Sequence, residues 1–352
     1  MNFSIEGKKI GPHCAPFIIA EMSGNHMGDI DRAKRLIRAA KAAGASAIKL
    51  QTYTADTLTI DHDSAPFLIR GGLWDGYKLY DLYQEAHTPW EWHRALFEEA
   101  KKNNLTIFSS PFDHSAVDLL ESLETPLYKI ASFELVDLPL IRRVAQTAKP
   151  MIMSTGNATL ADIEEAVITA RDHGCKDLVL LHCISGYPTP AVEANLLTIK
   201  SLSDNFGCLV GLSDHSLDIG VSIAAVALGA CVIEKHFTLS RSQGGSDAAF
   251  SLEPDEFALL VRNCEIAQQA IGKVSYLRTD SELKTKDHRR SLYVVKNIKK
   301  GEKITADNVR SIRPGNGLPP KFYDEVMGKI AHKDLAFGTP LSFDAITSML
   351  DE

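Results

Sequence analysis

The sequence predicts a (β/α)8 barrel followed by a small β-rich domain, and three observations carry that prediction. Eight short apolar runs alternate with stretches of helical period, the runs are apolar on both faces as buried parallel strands are, and the texture changes beyond residue 290. Eight strand-then-helix units in about 270 residues fit a closed barrel better than an open, doubly wound sheet.

The runs are FIIAEMS (17–23), AIKLQTY (47–53), TIFSSPF (106–112), LYKIAS (127–132), PMIMST (150–155), LVLLHCIS (178–185), LVGLSDH (209–215) and VIEKHFT (232–238). Helical period is clearest at 31–43, 90–103, 160–173 and 217–228. The piece 54–89, with Gly71, Gly72 and Gly76 and several tyrosine and tryptophan residues, reads as a long irregular connection, and a βα connection of that length has a function such as a lid. The barrel is expected over 1–272 and a polar linker over 273–290. Short strands with Lys-Gly-Glu and Phe-Gly-Thr turns then give a second domain over 291–352.

A formal charge of −7 with mixed signs supplies no basic field for a nucleic-acid backbone. The start, MNFSIEGKKIG, is polar where a secretory signal is apolar, and the longest apolar stretch, 221–233, is too short to span a bilayer. The expectation is a cytoplasmic protein with neither nucleic-acid nor membrane partners. The six cysteines form no CxxC pair and sit in or beside apolar runs, which reads as reduced, buried core thiols.

Active sites of such barrels lie at the C-terminal ends of the strands, so the polar residues that close each run read as the lining. They are Glu21; Lys49 and Gln51; Ser109 and Ser110; Lys129, Ser132 and Glu134; Ser154; Ser185 and Tyr187; Ser213, Asp214 and His215; and Glu234 with His236. His215 and His236 end consecutive strands, whose backbones lie about 4.8 Å apart, so the two imidazoles can share one ion. With oxygen completing the shell, that ion is of the Mn²⁺ or Mg²⁺ kind rather than structural zinc; each histidine alone is equally a hydrogen-bonded structural residue. Lys49 and Lys129 come from strands two apart. With the hydroxyls of Ser110, Ser132, Ser154 and Ser213 they suit a phosphate, unless each pairs with a carboxylate inside the barrel. Glu21 and Glu134 are fit to act as base, acid or sugar-hydroxyl acceptor, or to neutralise the lysines. Trp74, Tyr77, Tyr80, Tyr83, Trp90 and Trp92 are either a carbohydrate-stacking surface or helix packing. SGNHMG lacks both GxGxxG and GxxxxGK, and no GxSxG is present.

The stretches AEMSGNHMG, KLQTY, SSPFD, YKIAS, STGNAT, HCISGYPTP, GLSDHS, EKHFTL, RRSLY and RPGNGLPP together resemble the sialic acid synthase family, the phosphoenolpyruvate-dependent nonulosonic acid synthases. GGLWDGYKLYDLYQEAHTPWEWH is most similar to the pseudaminic acid synthase branch. The resemblance covers nearly the whole chain and implies a barrel followed by an antifreeze-like (SAF) domain. It implies that His215 and His236 hold a divalent ion, Mn²⁺ or Mg²⁺, with Co²⁺ as a further candidate. It further implies that Lys49, Ser110, Lys129, Ser132, Ser154, Ser185 and Ser213 surround phosphoenolpyruvate, and that Glu21, Gln51, Glu134, Tyr187 and Asp247 face an amino sugar. Arg313 would reach from the small domain of one subunit into its partner's barrel, in a domain-exchanged homodimer. N-acetylneuraminate synthases carry a threonine-asparagine pair where this chain has Ile184 and Ser185, which favours a 6-deoxy sugar over N-acetylmannosamine.

Three functions follow, separable by experiment. A metal-dependent synthase releases phosphate and stops in EDTA. A carbohydrate or ice binder releases none. A Schiff-base aldolase with Lys129 or Lys49 as nucleophile is trapped by borohydride.

Overall fold

Eight parallel strands close on themselves in the computed structural model, which describes residues 2–347. A hairpin of β1 (Phe3–Ile5) and β2 (Lys8–Ile10) precedes them. The barrel strands are β3 (Phe17–Glu21), β4 (Ala47–Thr52), β5 (Thr106–Pro111), β6 (Tyr128–Ile130), β7 (Met151–Ser154), β8 (Leu178–Cys183), β9 (Leu209–Asp214) and β10 (Val232–His236), and β10 pairs with β3 to complete the ring. Every apolar run is a strand. Each strand stops one or more residues before its run ends, because the closing polar residues start the next connection: Ser132, for example, opens a 3₁₀ turn over Ser132–Val136.

Alternation along the strands divides the side chains into two cores. Phe17, Ile19, Ala47, Phe108, Ile152, Val179, Leu181 and Val232 fill the barrel interior, and Ile5 and Ile10 of the hairpin join them as a plug. Ile18, Ala20, Ile48, Leu50, Ile130, Met153, Leu180, Leu212 and Ile233 point the other way and pack under the helices. Helices over Ile30–Ala42, His93–Lys102, Leu160–Asp172 and Gly220–Ala227 occupy the stretches of helical period. Asp29, Asp113 and Thr159 accept N–H groups of the first turns that follow them, which fixes where three of the connections end. Gly211 on β9 has no substitute, since a methyl there would overlap the Val232 carbonyl and the Leu181 side chain.

The segment 54–89 has more regular structure than its sequence suggests. It holds helical turns at Ala55–Leu58 and Ala65–Phe67 and a helix at Leu79–Ala86. Between them is a hairpin-like loop closed by Ile69 N–H to the Tyr77 carbonyl (2.8 Å) and Gly76 N–H to the Ile69 carbonyl (3.0 Å). Gly71, Gly72 and Gly76 take φ of 77°, 76° and 84°, the left-handed values that sharp reversal requires.

The chain forms two compact units, Met1–Gly272 and Lys273–Glu352. The second unit pairs β11 (Ser291–Val294) with β12 (Val309–Ile312) and β13 (Ile330–Ala331) with β14 (Ile346–Thr347), around Leu292, Val294, Ile298, Ile304, Val309 and Val326. The stretch read as a linker contains short helical turns at Asp280–Leu283 and Lys286–His288. Residues 348–352 of the expected second domain lie outside the described residues. No helix among the described residues is long and apolar enough to cross a membrane.

Candidate active site

The row Glu234, Lys235, His236 is resolved by the two-residue period of β10. Glu234 and His236 line a cavity of ≈ 490 Å³ in the first unit, within the usual range for small-molecule sites. Lys235 points out of the barrel and is fully buried, its Nζ donating to Asp214 Oδ2 (2.9 Å), the Ser216 carbonyl (2.6 Å) and the Asp218 carbonyl (3.0 Å). Asp214 also accepts the Ser216 N–H (2.9 Å), so this outward pair braces the turn that carries His215.

Register brings the charged residues to one level. Glu21 on β3 is opposite Lys49 on β4 and His236 on β10, and Glu234 is opposite Ser213 on β9. Lys129 Nζ donates to both oxygens of Glu234 at 2.9 Å. Lys49 Nζ lies 2.6 Å from Glu21 Oε2 and 3.6 Å from Glu234 Oε1, and Gln51 Nε2 donates to Glu21 Oε1 (2.9 Å). All four charged groups are buried, which is tolerable only because each has a partner of opposite sign. Both lysines therefore pair with carboxylates, as one of the two sequence readings holds. Burial works against the Glu234 charge, but Lys129 and Lys49 outweigh it and hold the carboxyl below its ordinary range. For Glu21 burial prevails and, with Glu234 near, pushes the carboxyl up.

Across the cavity the imidazoles of His215 and His236 have centroids 5.3 Å apart. His215 Nδ1 lies 2.9 Å from the Ile184 carbonyl; as donor there it leaves Nε2 with a free lone pair. His236 Nδ1 is buried without a hydrogen-bond partner, 3.8 Å from Asp247 Oδ2. Asp247 accepts the Ser23 hydroxyl and sits in the loop after β10 rather than at a strand end. Among the described residues no three His, Cys, Asp or Glu side chains gather as a metal-binding group.

Of the residues singled out from the sequence, Glu21, Lys49, Gln51, Lys129, Ser132, Glu134, Ser154, Tyr187, Ser213, His215, His236 and Asp247 line this one cavity. Three do not. Ser110 is fully buried beneath it, 3.4 Å from Lys49 Nζ. Ser185 stands behind Gly156, where a methyl would overlap the Ser185 and Ser132 hydroxyls. Arg313 is exposed in the second unit, just past β12. Ser154 Oγ and Glu134 Oε2 are buried with no hydrogen-bond partner, so the wall holds polar atoms in want of a ligand. Burial pushes the Glu134 carboxyl up to about 7.

Some lining residues carried no sequence signal. Phe133 and Ser246 sit in connections with no motif of their own, whereas Ser23 and Phe112 fall inside AEMSGNHMG and SSPFD without being singled out as lining. Glu234 did carry one, since it lies two residues before His236 on the same strand face and its role as partner of both lysines was missed. Cys183 is not mere core filler: its Sγ is 3.8 Å from His215 Nδ1. The aromatic group divides. Trp74 and Tyr83 line the cavity, Tyr77 is exposed, and Trp92 packs edge-on against His26.

Comparison with known proteins finds relatives that span nearly the whole chain. The chain is 46% identical over 336 residues to the pseudaminic acid synthase of Helicobacter pylori, covering 95% of this chain and 99% of that one. It is 40% identical over 321 residues to the N,N'-diacetyllegionaminic acid synthase of Campylobacter jejuni, covering 90% and 96%. The solved N-acetylneuraminic acid synthetase of Leptospira borgpetersenii superposes with a TM-score of 0.73 at 32% identity, over 81% of this chain and 94% of that one. The NeuB family model matches residues 36–276 and the SAF domain model residues 289–347, so the chain belongs to the NeuB family, a (β/α)8 barrel followed by a SAF domain.

Proposed function

We propose that the protein is a pseudaminic acid synthase, a transferase that joins phosphoenolpyruvate to 2,4-diacetamido-2,4,6-trideoxy-L-altrose and gives pseudaminic acid and phosphate. The observation that carries this reading is a single cavity with two buried lysines on one side and two imidazoles on the other, in a chain that matches pseudaminic acid synthase end to end. C3 of phosphoenolpyruvate bonds to C1 of the open-chain sugar, whose carbonyl oxygen takes a proton. Water adds at C2 and loses its proton to a carboxylate. The C2–O bond to phosphate then breaks with its electron pair leaving on phosphate, while the C2 hydroxyl becomes the ketone and gives its proton to the departing phosphate.

Lys49 and Lys129 would exchange carboxylate partners for the phosphoryl oxygens, with Ser132, Ser154 and Ser213 donating hydroxyls. His215 and His236, with Asp247 beside them, would hold a divalent ion: the free Nε2 of His215 and the unpartnered Nδ1 of His236 show a donor pair not consumed by the fold. Two imidazoles with oxygen donors suit Mn²⁺, Mg²⁺ or Co²⁺, which when bound supplies Lewis acidity to a carbonyl oxygen.

Glu134, in the cavity lining, would take the proton from water. Its carboxyl is pushed up to about 7, so it is protonated below that pH and competent as a base above it. Activity therefore rises with pH through a break near 7, and Glu134→Gln removes the break and lowers kcat about 10²-fold. A pH–rate profile decides this, and a glutamine variant that keeps the break hands the base role to Glu21.

The working unit in this reading is a homodimer in which Arg313 of one subunit reaches the partner's sugar. Arg313→Ala then raises the sugar KM about tenfold with little change for phosphoenolpyruvate, the loss of one charged hydrogen bond. Equal effects on both substrates would refute the arm. The reaction itself is tested by phosphate release across altrose- and mannose-configured amino sugars, with and without EDTA. Turnover of the diacetamido altrose above all others supports the reading, and a preference for N-acetylmannosamine refutes it.

A further inference from the structure

The charged groups of the cavity belong to strand ends and the loops beside them, whereas the segment 54–89 gives it a wall of another character. That wall is Leu58, Ile69, Trp74, Leu79, Leu82 and Ala86, all half-buried, so each retains apolar surface for a ligand to cover. Tyr83 is the one residue of the segment that brings a side-chain hydroxyl to the lining. The single donor of Trp74, Nε1, lies 3.2 Å from the Ser246 carbonyl. The Trp74 ring meets the Tyr187 ring at 5.8 Å, tilted by 60°, and the Tyr187 ring lies 4.4 Å from that of His215. The wall is thus tied to the catalytic residues through one aromatic chain.

The reaction orients the sugar. C1 has to meet the ester held at Lys49 and Lys129, so the far end of the carbon chain is turned away from the charged groups and toward this wall. A hydroxyl delivered against the aliphatic part of this wall, Leu58, Ile69, Leu79, Leu82 and Ala86, gives up water and finds no side-chain partner among them, while a methyl loses nothing.

We propose that this wall is the specificity element that selects a sugar whose sixth carbon is a methyl group. The proposal rests on the synthase reading for the orientation of the substrate. Ile69 and Leu79 are positioned to set it, and both lie outside the two barrel cores, so polar substitution leaves the fold standing.

The test compares kcat/KM for matched 6-deoxy and 6-hydroxy forms of each amino sugar the full-length enzyme accepts, read as phosphate release, for wild type, Ile69→Thr and Leu79→Thr. Wild type is expected to prefer the 6-deoxy form by about 10²-fold, the discrimination an apolar pocket achieves against an added hydroxyl. Each threonine variant is expected to cut that ratio about tenfold while the phosphoenolpyruvate KM stays within about twofold, because the change meets only the sugar's end. A wild-type ratio near one, or variants that slow both forms equally, overturns the inference. Failure of the altrose sugar alone sinks the synthase assignment instead, and the ratio on whichever amino sugar is accepted still decides the wall's role.

Discussion

Lys129→Met is expected to raise the phosphoenolpyruvate KM at least 100-fold and to lower the unfolding free energy by about 3–5 kcal/mol, the cost of stranding one partner of a buried ion pair. Lys129 holds both oxygens of Glu234 at 2.9 Å, and both residues are buried. Removing the ammonium leaves a carboxylate facing Glu21 with only the 3.6 Å contact to Lys49. A second variant separates binding from folding. Lys129→Met/Glu234→Gln removes the stranded charge and is expected to recover most of the stability and none of the affinity. Calorimetry with ligand titration measures both quantities. A double variant that regains stability and tight phosphoenolpyruvate binding together would show that Lys129 serves the fold alone.

His236→Ala is expected to lower kcat by about 10³-fold, the scale for removing a preorganised electrostatic contributor at a reacting centre. Its thermal midpoint should change little. His236 Nδ1 has no hydrogen-bond partner to lose, and the ring's neighbours His215 and Phe250 are held by their own contacts. Burial, with the ammonium groups of Lys49 and Lys129 nearby, holds His236 well below the ordinary imidazole range, so it is neutral and free to donate a lone pair. Bound Mn²⁺ per chain, measured on the purified variant, should fall with activity. A variant with wild-type rate and metal content removes the metal role.

The barrel was legible because burial on both faces leaves a plain mark. Each strand lies in a mainly apolar run ended by polar residues, and β3 through β10 lie where those runs lie. The charged half of the cavity was legible for the same reason, since Lys49, Lys129, His215 and His236 interrupt runs in which an ionisable group is costly without a use. Other features were hidden. Nothing local to β10 says that Glu234 serves two lysines from β4 and β6, because that pairing is made by closing the ring. Ser246 and Asp247 reach the cavity through a loop whose course depends on Asn25 donating to the Phe237 carbonyl (3.0 Å), a contact across more than two hundred residues. The helix at Leu79–Ala86 was obscured by the glycine-rich turn before it and the proline just beyond it.

The most direct test of the account is a crystal structure of the full chain with Mn²⁺ and phosphoenolpyruvate. The phosphoryl group is expected against Lys49 and Lys129 and the cation between His215 and His236, with the enol carbon turned toward the space lined by Asp247 and Tyr187. Ester density away from both lysines, or a cation bound elsewhere while the two imidazoles face only water, would contradict it.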